Sequence, residues 1–295
     1  MVLLLQTLCN VANAQADNED DTAETPPLVR KDVAYNTFSA TRIVDGSTVK
    51  NLDGGVLDFR IAHRFGRVSE GSQNFFGLDD ATTRIGLDYG ITRWLMVGIG
   101  HSVLNKENDG FTKIKLLGQR RDGMPLSLSY VGEMSVQTTL APILPAGDKW
   151  LYRYRLYYAN QLLIARRFSD RISLQIMPSI VHYNIVDDAR FSNNTVAIGV
   201  GGKIKITKRV AITGEYYYRV TNQDMLYNGA TTYNTLSAGF EVESGGHVFQ
   251  LLVTNAQGIT ERSFIGQTTD SWSKGQLHFG FNISRIFVLV KPREL

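Results

Sequence analysis

The chain has 295 residues, of which 43% are apolar and 20% are charged, and its formal net charge is +3 at pH 7. This balance gives no support to a nucleic-acid partner, which would need a clustered basic face. Tyr, Phe and Gly are plentiful, at 13, 14 and 27 residues, whereas Pro is scarce at 7. No run approaches the roughly 18 apolar residues of a transmembrane helix, so the composition favours many extended strands.

The N-terminus is predicted to be a signal peptide over residues 1–14. Val2–Val11 is largely apolar, and residues 12–14 (ANA) form a small-x-small cleavage site before Gln15. The single cysteine, Cys9, would leave with this peptide. We therefore expect a mature chain without a disulfide, a thiol nucleophile or a thiolate metal site, and we expect no cofactor and no metal.

Residues 15–55 are predicted to form an acidic N-terminal arm or linker. Gln15–Pro27 is rich in Asp, Glu, Asn and Thr, a composition typical of solvated, disordered chain. Residues 35–51 carry β-branched side chains around a turn signal at Asp45-Gly46. This stretch could form a small periplasmic hairpin, a plug inside a barrel lumen, or simply an arm, and the arm is favoured.

From Val56 onward the sequence alternates with the period of two that is typical of strands. In the hairpin 162–181, Ile172, Leu174 and Ile176 share one face, and Ser173 and Gln175 share the other. Strands of roughly 9–11 residues are long enough to cross a bilayer when tilted. The predicted strands are 56–65, 82–89, 94–102, 111–117, 126–137, 152–168, 172–183, 195–206, 210–220, 233–242, 247–255 and 276–289.

The connections between these strands alternate between tight turns and longer polar loops. The turns are 90–93, 121–123, 169–171, 207–209 and 244–246, and the loops are 67–81, 103–110, 138–151, 184–194, 221–232 and 256–275. Outer-membrane barrels have short periplasmic turns and long outer loops. We predict an all-β fold: a closed antiparallel transmembrane β-barrel of about 12 strands over residues 56–289, with a tail at 290–295. A large soluble antiparallel barrel or jelly roll is the alternative.

Several segments resemble an uncharacterised β-barrel family of Bacteroidetes-type Gram-negative bacteria. They are 57–66 (LDFRIAHRFG), 84–100, 160–182, 201–219, 245–269 and 278–287 (HFGFNISRIF). The resemblance implies a protein of the bacterial outer membrane, with membrane lipid as a partner, and it carries over no catalytic residue. The last strand ends on Phe287, which resembles the aromatic terminal signal read by barrel-assembly machinery, a second expected partner.

Successive side chains of a strand alternate between its two faces, and this alternation directs many charged side chains toward the lumen, where basic residues outnumber acidic ones. A ring of Arg or Lys favours anions in a pore. Alternatively, acidic and basic groups pair across a narrow interior and close it. The candidate lumen-lining residues are Arg60, Arg64, Arg84, Asp88, Lys113, Lys115, Glu133, Arg153, Arg155, Arg167, Lys203, Lys205, Glu215 and Arg219.

The leading functional hypothesis is a passive channel or transport component for small solutes, for which the basic excess suggests anions. The second is a closed barrel that serves as a structural or binding partner for periplasmic or surface proteins. The third is a membrane-embedded hydrolase. We expect no enzymatic activity, because the five histidines lie on different strands and Ser179 and His182 point to opposite faces of theirs.

Overall fold

The computed structural model describes residues 36–120, 123–139 and 150–290. The predicted signal peptide, residues 15–35 of the predicted arm and residues 291–295 of the tail lie outside the described residues and stay predictions. Within the described ranges, twelve antiparallel strands close into one barrel, and the first strand pairs with the last. No helix in these ranges is long and apolar enough to span a bilayer.

The barrel strands follow the chain, each paired with its neighbour, and a small hairpin of two short strands stands outside the wall. The bounds are β1 Val56–Arg67, β2 Ala81–Gly90, β3 Leu95–Ser102, β4 Glu107–Leu117, β5 Ser127–Gln137, β6 Leu156–Arg167, β7 Ile172–Tyr183, β8 Asn194–Lys205, β9 Val210–Arg219, β10 Leu226–Tyr227, β11 Ala230–Thr231, β12 Thr235–Ser244, β13 His247–Thr254 and β14 His278–Val288. The strands β10 and β11 form the separate hairpin. The barrel closes where Val56 of β1 pairs with Val288 of β14. One short α-helix, here α1, spans Glu261–Gly266, and 3-10 segments lie at Val68–Gly77, Leu104–Lys106, Tyr152–Arg155 and Trp272–Lys274.

The predicted closed barrel is confirmed, and each predicted strand corresponds to a strand of the wall. The largest differences fall on β4, which begins at Glu107 instead of residue 111, and on β6, which begins at Leu156 after a 3-10 turn. The predicted loop 103–110 covers the start of β4. In the structure Glu107 and Asp109 are buried and face the lumen.

The barrel has two unlike ends. Short turns join β2–β3, β6–β7, β8–β9 and β12–β13 at one end, where β1 begins and β14 ends; we call this the turn end. Longer connections, including those between β7 and β8 and between β13 and β14, lie at the opposite end, which we call the loop end. The predicted turn 121–123 and the loop 138–151 lie partly outside the described residues.

The outer face of the wall is apolar and the inner face is polar. Along β7 the side chains of Ile172, Leu174 and Ile176 are exposed, whereas those of Ser173 and Gln175 are buried in the interior. The same alternation leaves large apolar residues exposed around the barrel, as at Leu251, which is 66% exposed. A water-soluble barrel would bury such faces. The soluble alternative is therefore wrong, because lipid is the solvent that suits this surface.

Residues 37–52 lie inside the barrel, and we call this segment the plug. Its apolar side chains Phe38, Ile43, Val44, Val49 and Leu52 are each exposed by 3% or less. The chain reverses at Asp45-Gly46 and forms a single bridge between Arg42 and Ser47. The favoured prediction of an arm is therefore wrong over this stretch, because its apolar side chains find cover in the lumen, and the plug alternative is correct.

The β13–β14 connection also enters the lumen, from the loop end. All six residues of α1 are buried, and so are Asn255, Thr260 and Asp270 beside it. We call residues 255–271 the inward loop. The prediction of an outer polar loop at 256–275 is wrong for this part, because its polar side chains meet polar partners inside the barrel. Plug and inward loop together fill the interior.

Candidate functional site: the closed lumen

The turn at the tip of the plug docks on a carboxylate of the wall. Glu215 on β9 accepts hydrogen bonds from the backbone N–H groups of Asp45, at 2.6 Å, and Gly46, at 3.1 Å. Gly46 has no room for a side chain, because a Cβ atom there would lie 2.1 Å from the Tyr217 hydroxyl. The turn signal read from the sequence is thus the part of the plug that fits closest to the wall.

Side chains from five other strands bind the plug backbone, including Ser129 on β5, whose hydroxyl donates to the Val49 carbonyl at 3.4 Å. Gln175 on β7 bridges two points, accepting from the Val49 N–H at 2.9 Å and donating to the Ser47 carbonyl at 2.7 Å. Further donors reach carbonyls of the plug: Gln250 to Ile43 and Asn282 to Val44, both at 2.9 Å, and Lys113 to Lys50 at 2.6 Å. The wall therefore supplies partners for many backbone groups between Ile43 and Lys50, as a buried segment requires.

Ion pairs add to these hydrogen bonds. The Arg64 guanidinium donates to Asp45 Oδ1 at 2.5 Å, and both side chains are fully buried. Ser237 Oγ donates to the other oxygen of Asp45 at 3.0 Å. Removing one partner of a buried pair leaves an uncompensated charge and costs roughly 3–5 kcal/mol. Arg64 and Asp45 therefore form the contact whose loss should affect plug docking most.

Arg42 of the plug pairs with Glu261 of α1, and we call this pair the latch. The Arg42 guanidinium also lies 5.3 Å from the centre of the Phe111 ring. Burial disfavours the charged form of Glu261, but the charge of Arg42 and side-chain hydrogen bonds with Glu133 and Arg42 outweigh it, so its pKa is lowered to about 2. The latch is thus ionised at neutral pH and ties the plug to the inward loop.

The inward loop is bound to the wall by Arg262, the next residue along α1. Its Nε donates to Glu107 at 2.9 Å, and its guanidinium lies 4.0 Å from the centre of the Tyr157 ring. Tyr183 donates its hydroxyl hydrogen to the Arg262 carbonyl at 2.9 Å. Although burial favours the neutral form, the nearby Glu107 carboxylate raises the pKa of Arg262.

Most of the predicted lumen residues lie inside the barrel. Nine of the fourteen are buried: Arg60, Arg64, Arg84, Asp88, Lys113, Glu133, Lys203, Glu215 and Arg219. Lys115, Arg167 and Lys205 are half-buried near the turn end, and Arg155 is half-buried at the loop end. Arg153 is the exception. It is exposed on the 3-10 turn before β6, with its guanidinium 5.4 Å from the Tyr154 ring, so its lumen assignment is wrong.

The fully buried part of the lumen does not show the predicted excess of basic charge. The positive charges that remain are half-buried toward the two ends of the barrel, at Lys115, Arg155, Arg167 and Lys205. Among the described residues, the buried carboxylates are Asp45, Asp58, Asp88, Glu107, Asp109, Glu133, Glu215, Glu241, Glu261 and Asp270, and the buried cations are Arg42, Arg60, Arg64, Arg84, Lys113, Lys203, Arg219 and Arg262. Glu107 and Asp109 fall in the predicted loop 103–110, and Glu241, on the inner face of the predicted strand 233–242, was not among the candidate lumen residues. The charges are balanced closely enough to pair, as Arg84 does with Asp109 and Lys203 with Glu241.

The centre of the lumen is closed. The cavity between plug and wall, lined by Arg42, Asp45, Arg60, Arg84 and Asn282 among others, has a volume of about 10 Å³. That is room for one water molecule at most. Solutes cannot pass this point unless the plug or the inward loop moves.

The Ser179–His182 pair weighed from the sequence does not come together in the structure. Ser179 is buried in the interior while His182 lies on the outer face and is hydrogen-bonded to Asn194, so the two do not form a dyad. His278 is held between Asp270 and the Phe65 carbonyl, each at 2.8 Å. Within the ranges that the structure describes, no group of His, Cys, Asp or Glu could hold a metal ion.

An apolar outer wall around a polar, filled interior defines this protein as a membrane β-barrel. The model of a family described as a membrane-bound β-barrel domain (DUF5777) matches residues 38–287. The chain therefore belongs to this family. The match begins within the plug, so the plug is part of the family's domain. The bacterial group of origin stays a prediction.

Among solved structures, the barrel is similar to porins at low sequence identity. The NanC porin has a TM-score of 0.49 and 8% identity, covering 79% of this chain and 100% of its own. The KdgM porin has a TM-score of 0.46 and 9% identity, covering 79% and 99%. OmpF of Salmonella typhi has a TM-score of 0.39 and 9% identity, covering 79% and 97%. No curated protein matches the chain.

Proposed function

We propose that the chain is a transport barrel of the Gram-negative outer membrane that is closed at rest and conducts small solutes when the plug moves. The carrying observation is that the lumen is filled by segments that are not part of the wall. These segments are held there by hydrogen bonds and ion pairs. In this proposal the turn end faces the periplasm and the loop end faces outward.

The chemistry of the inner wall supports a removable plug. Ser129, Ser173, Gln175, Thr213 and Ser237 line the interior and are buried there. These hydroxyl and amide groups could bind water as readily as they bind the plug. A permanently packed core would gain more from apolar side chains, since buried ion pairs contribute little net stability. The polar inner face therefore suits a lumen that is sometimes wet.

The contacts with the membrane follow from the same proposal. The exposed apolar faces of the strands would contact lipid, and the last strand, β14, carries Phe279 and Phe287 on exposed positions. We propose that β14 is the strand recognised by barrel-assembly machinery. Because the buried interior holds balanced charge, we propose no preference for anions in the open state.

A closed barrel that serves as a structural or binding partner is the second candidate. The fully buried Arg64–Asp45 pair and the small central cavity favour it, since both argue for a tightly held plug. In this case the plug would be a permanent core, and the loop end would carry the function. The two candidates differ in whether the plug ever leaves.

Planar-bilayer recording of the refolded mature chain and of Arg64→Leu tests the proposal. Arg64→Leu leaves Asp45 buried without its cation, so the plug should dock less tightly. We expect rare openings in the parent and an open fraction at least about tenfold higher in the variant. Silence of both proteins, with correct barrel folding shown by heat-modifiable migration on gels, would reject transport and favour the closed barrel.

A further inference from the structure

A cavity of about 510 Å³ opens at the loop end, and we call it the vestibule. Trp150, Tyr157, Tyr183 and Tyr227 contribute aromatic rings to its lining, and Asn228 and Gln267 contribute side-chain amides. Its volume lies in the range of small-molecule binding sites, roughly 300–1,000 Å³. We propose that the vestibule binds a neutral oligosaccharide.

The lining differs from the lumen below it. The lumen is crowded with ion pairs, whereas the only charged side chains that line the vestibule among the described residues are Arg155 and Asp187. Arg155 already donates hydrogen bonds to the backbone carbonyls of Gln137, at 3.1 Å, and Thr139. An anionic solute would therefore find no cationic side chain free to bind it among the described lining residues. The lining suits an uncharged ligand with flat apolar faces and many hydroxyl groups.

The rings are held in place before any ligand arrives. Tyr157 donates its hydroxyl to Gln137 at 3.1 Å, and its ring packs edge-on against Tyr183 with centres 5.9 Å apart. The Tyr227 hydroxyl accepts a hydrogen bond from Asn105 at 2.8 Å, which fixes the β10–β11 hairpin. Fixed rings reduce the ordering cost of binding, as in other preformed sites.

Polar groups remain for the hydroxyls of a sugar. The indole N–H of Trp150 is buried and has no hydrogen-bond partner among the described residues. Gln267 accepts a hydrogen bond from Arg262 through its oxygen, which leaves its amide N–H groups as donors. An unpaired buried donor is costly, so an acceptor supplied by a ligand would be favourable. The Asp187 carboxylate can accept from hydroxyl groups.

A cationic ligand fits these aromatic rings less well. Aromatic faces attract cations, but the Arg262 guanidinium already lies 4.0 Å from the centre of the Tyr157 ring. Arg155 adds a second positive charge to the lining. Both would repel a further cation, and Asp187 is the one carboxylate in the described lining that opposes them. A neutral sugar has no such penalty.

The vestibule also contacts the machinery that closes the lumen. Gln267 follows directly after α1, and the Tyr183 hydroxyl is bonded to the carbonyl of Arg262. The neighbouring residue on α1, Glu261, forms the latch with the plug. A bound sugar would therefore touch the segment that holds the plug, and this last step alone rests on the proposed transport function.

Fluorescence of Trp150 tests sugar binding without measuring current. The chain has three tryptophans, so Trp94→Phe with Trp272→Phe leaves Trp150 as the single reporter. The full mature chain in nanodiscs is titrated with maltotriose, cellotriose and triacetylchitotriose, and with trigalacturonate and choline as the charged alternatives. We expect a saturable change with at least one neutral sugar and none with the charged probes.

Matched variants separate stacking from folding. Tyr227→Ala should weaken binding about 3- to 10-fold, because it removes one aromatic face. Tyr152→Ala is the control, since Tyr152 is 68% exposed and is not part of the cavity lining. No saturable change up to about 50 mM of any neutral sugar, or saturation only with a charged probe, would overturn the assignment. If the protein binds a neutral sugar but never conducts current, the assignment of the vestibule stands and only the transport proposal is rejected.

Discussion

The plug and the inward loop both fill the lumen, but they are held differently. The plug joins a wall strand on its C-terminal side, at β1, and its backbone is bound by side chains of six strands. The inward loop joins strands on both sides and is bound through side-chain ion pairs and an aromatic face. In the proposed transport function, the plug would be the part that moves and the loop a fixed constriction.

Loss of Arg64 should have the largest effect on this arrangement. Ser47 is 1% exposed, and its hydroxyl has no partner among the described residues, so Ser47→Cys makes a mild reporter of plug exposure. In a chain without Cys9, we expect Arg64→Leu to raise the labelling rate of this thiol by roughly 10²–10³-fold, because a buried carboxylate loses its cation.

The matched control for this experiment is Arg166→Leu. Arg166 lies on the exposed face of β6, where its guanidinium is 5.2 Å from the centre of the Phe168 ring. We expect labelling in this variant to stay within about twofold of the parent, as for most surface changes. Equal labelling in Arg64→Leu and Arg166→Leu would show that the ion pair does not hold the plug.

Changing Arg262 tests the other side of the comparison. Arg262→Met leaves Glu107 without its cation and should loosen α1 by about 2–4 kcal/mol, seen as faster amide hydrogen exchange over residues 261–266. The loop stays joined to β13 and β14, so the Ser47→Cys reporter should remain protected. Exposure of that thiol would mean that loop and plug move as one unit.

Loss of Gln175 should have a smaller effect on the plug. Gln175→Ala removes both hydrogen bonds to the plug backbone, a loss of about 1–3 kcal/mol, and should raise labelling of Ser47→Cys about 5- to 100-fold. Gln161→Ala is the control, because Gln161 is also buried but donates to Ser179 of the neighbouring wall strand at 3.0 Å. If Gln161→Ala raised the labelling rate more than Gln175→Ala, the contacts that hold the plug would lie elsewhere in the wall.

The strands were predictable because their signal is local. Alternation along β7 or β13 reports which side chain faces lipid without reference to any other part of the chain. The same rule extended upstream from Phe111 would have found Asp109 and Glu107 on the inner face of β4. The predicted loop 103–110 includes both residues, although a barrel strand places charged side chains of this kind on the face toward a polar lumen.

The plug and the inward loop could not be predicted in the same way. Asp45 meets Glu215 and Ser237, and Arg42 meets Glu261, across more than 160 residues of sequence. Nothing near Asp45 in the chain indicates these partners, and an Asp-Gly turn suits an arm as well as a plug. Only the closed wall brings the matching groups together.

Acidification should have the smallest effect. The pKa of Glu261 is lowered to about 2, so its charge adds to the stability of the closed state above its ordinary range near 4.5 and is lost only as the pH falls through about 2. Between pH 7 and pH 4, Glu261 should stay ionised, so the labelling rate of the Ser47→Cys thiol by a disulfide reagent active in acid should not rise because the latch is lost. If the labelling rate rises over this range, and the rise is absent in Glu261→Gln, the prediction is contradicted.

The central claim is that current requires the plug to leave its place in the lumen. Ser47→Cys with Gln175→Cys puts two thiols where the Gln175 amide now donates to the Ser47 carbonyl at 2.7 Å. A short bis-methanethiosulfonate reagent then joins the two thiols through two reducible disulfide bonds, with sulfinate as the leaving group, and fastens the plug to β7 during bilayer recording. We predict openings in the reduced protein, their loss on cross-linking and their return on reduction. Unchanged openings in the cross-linked barrel would contradict the account.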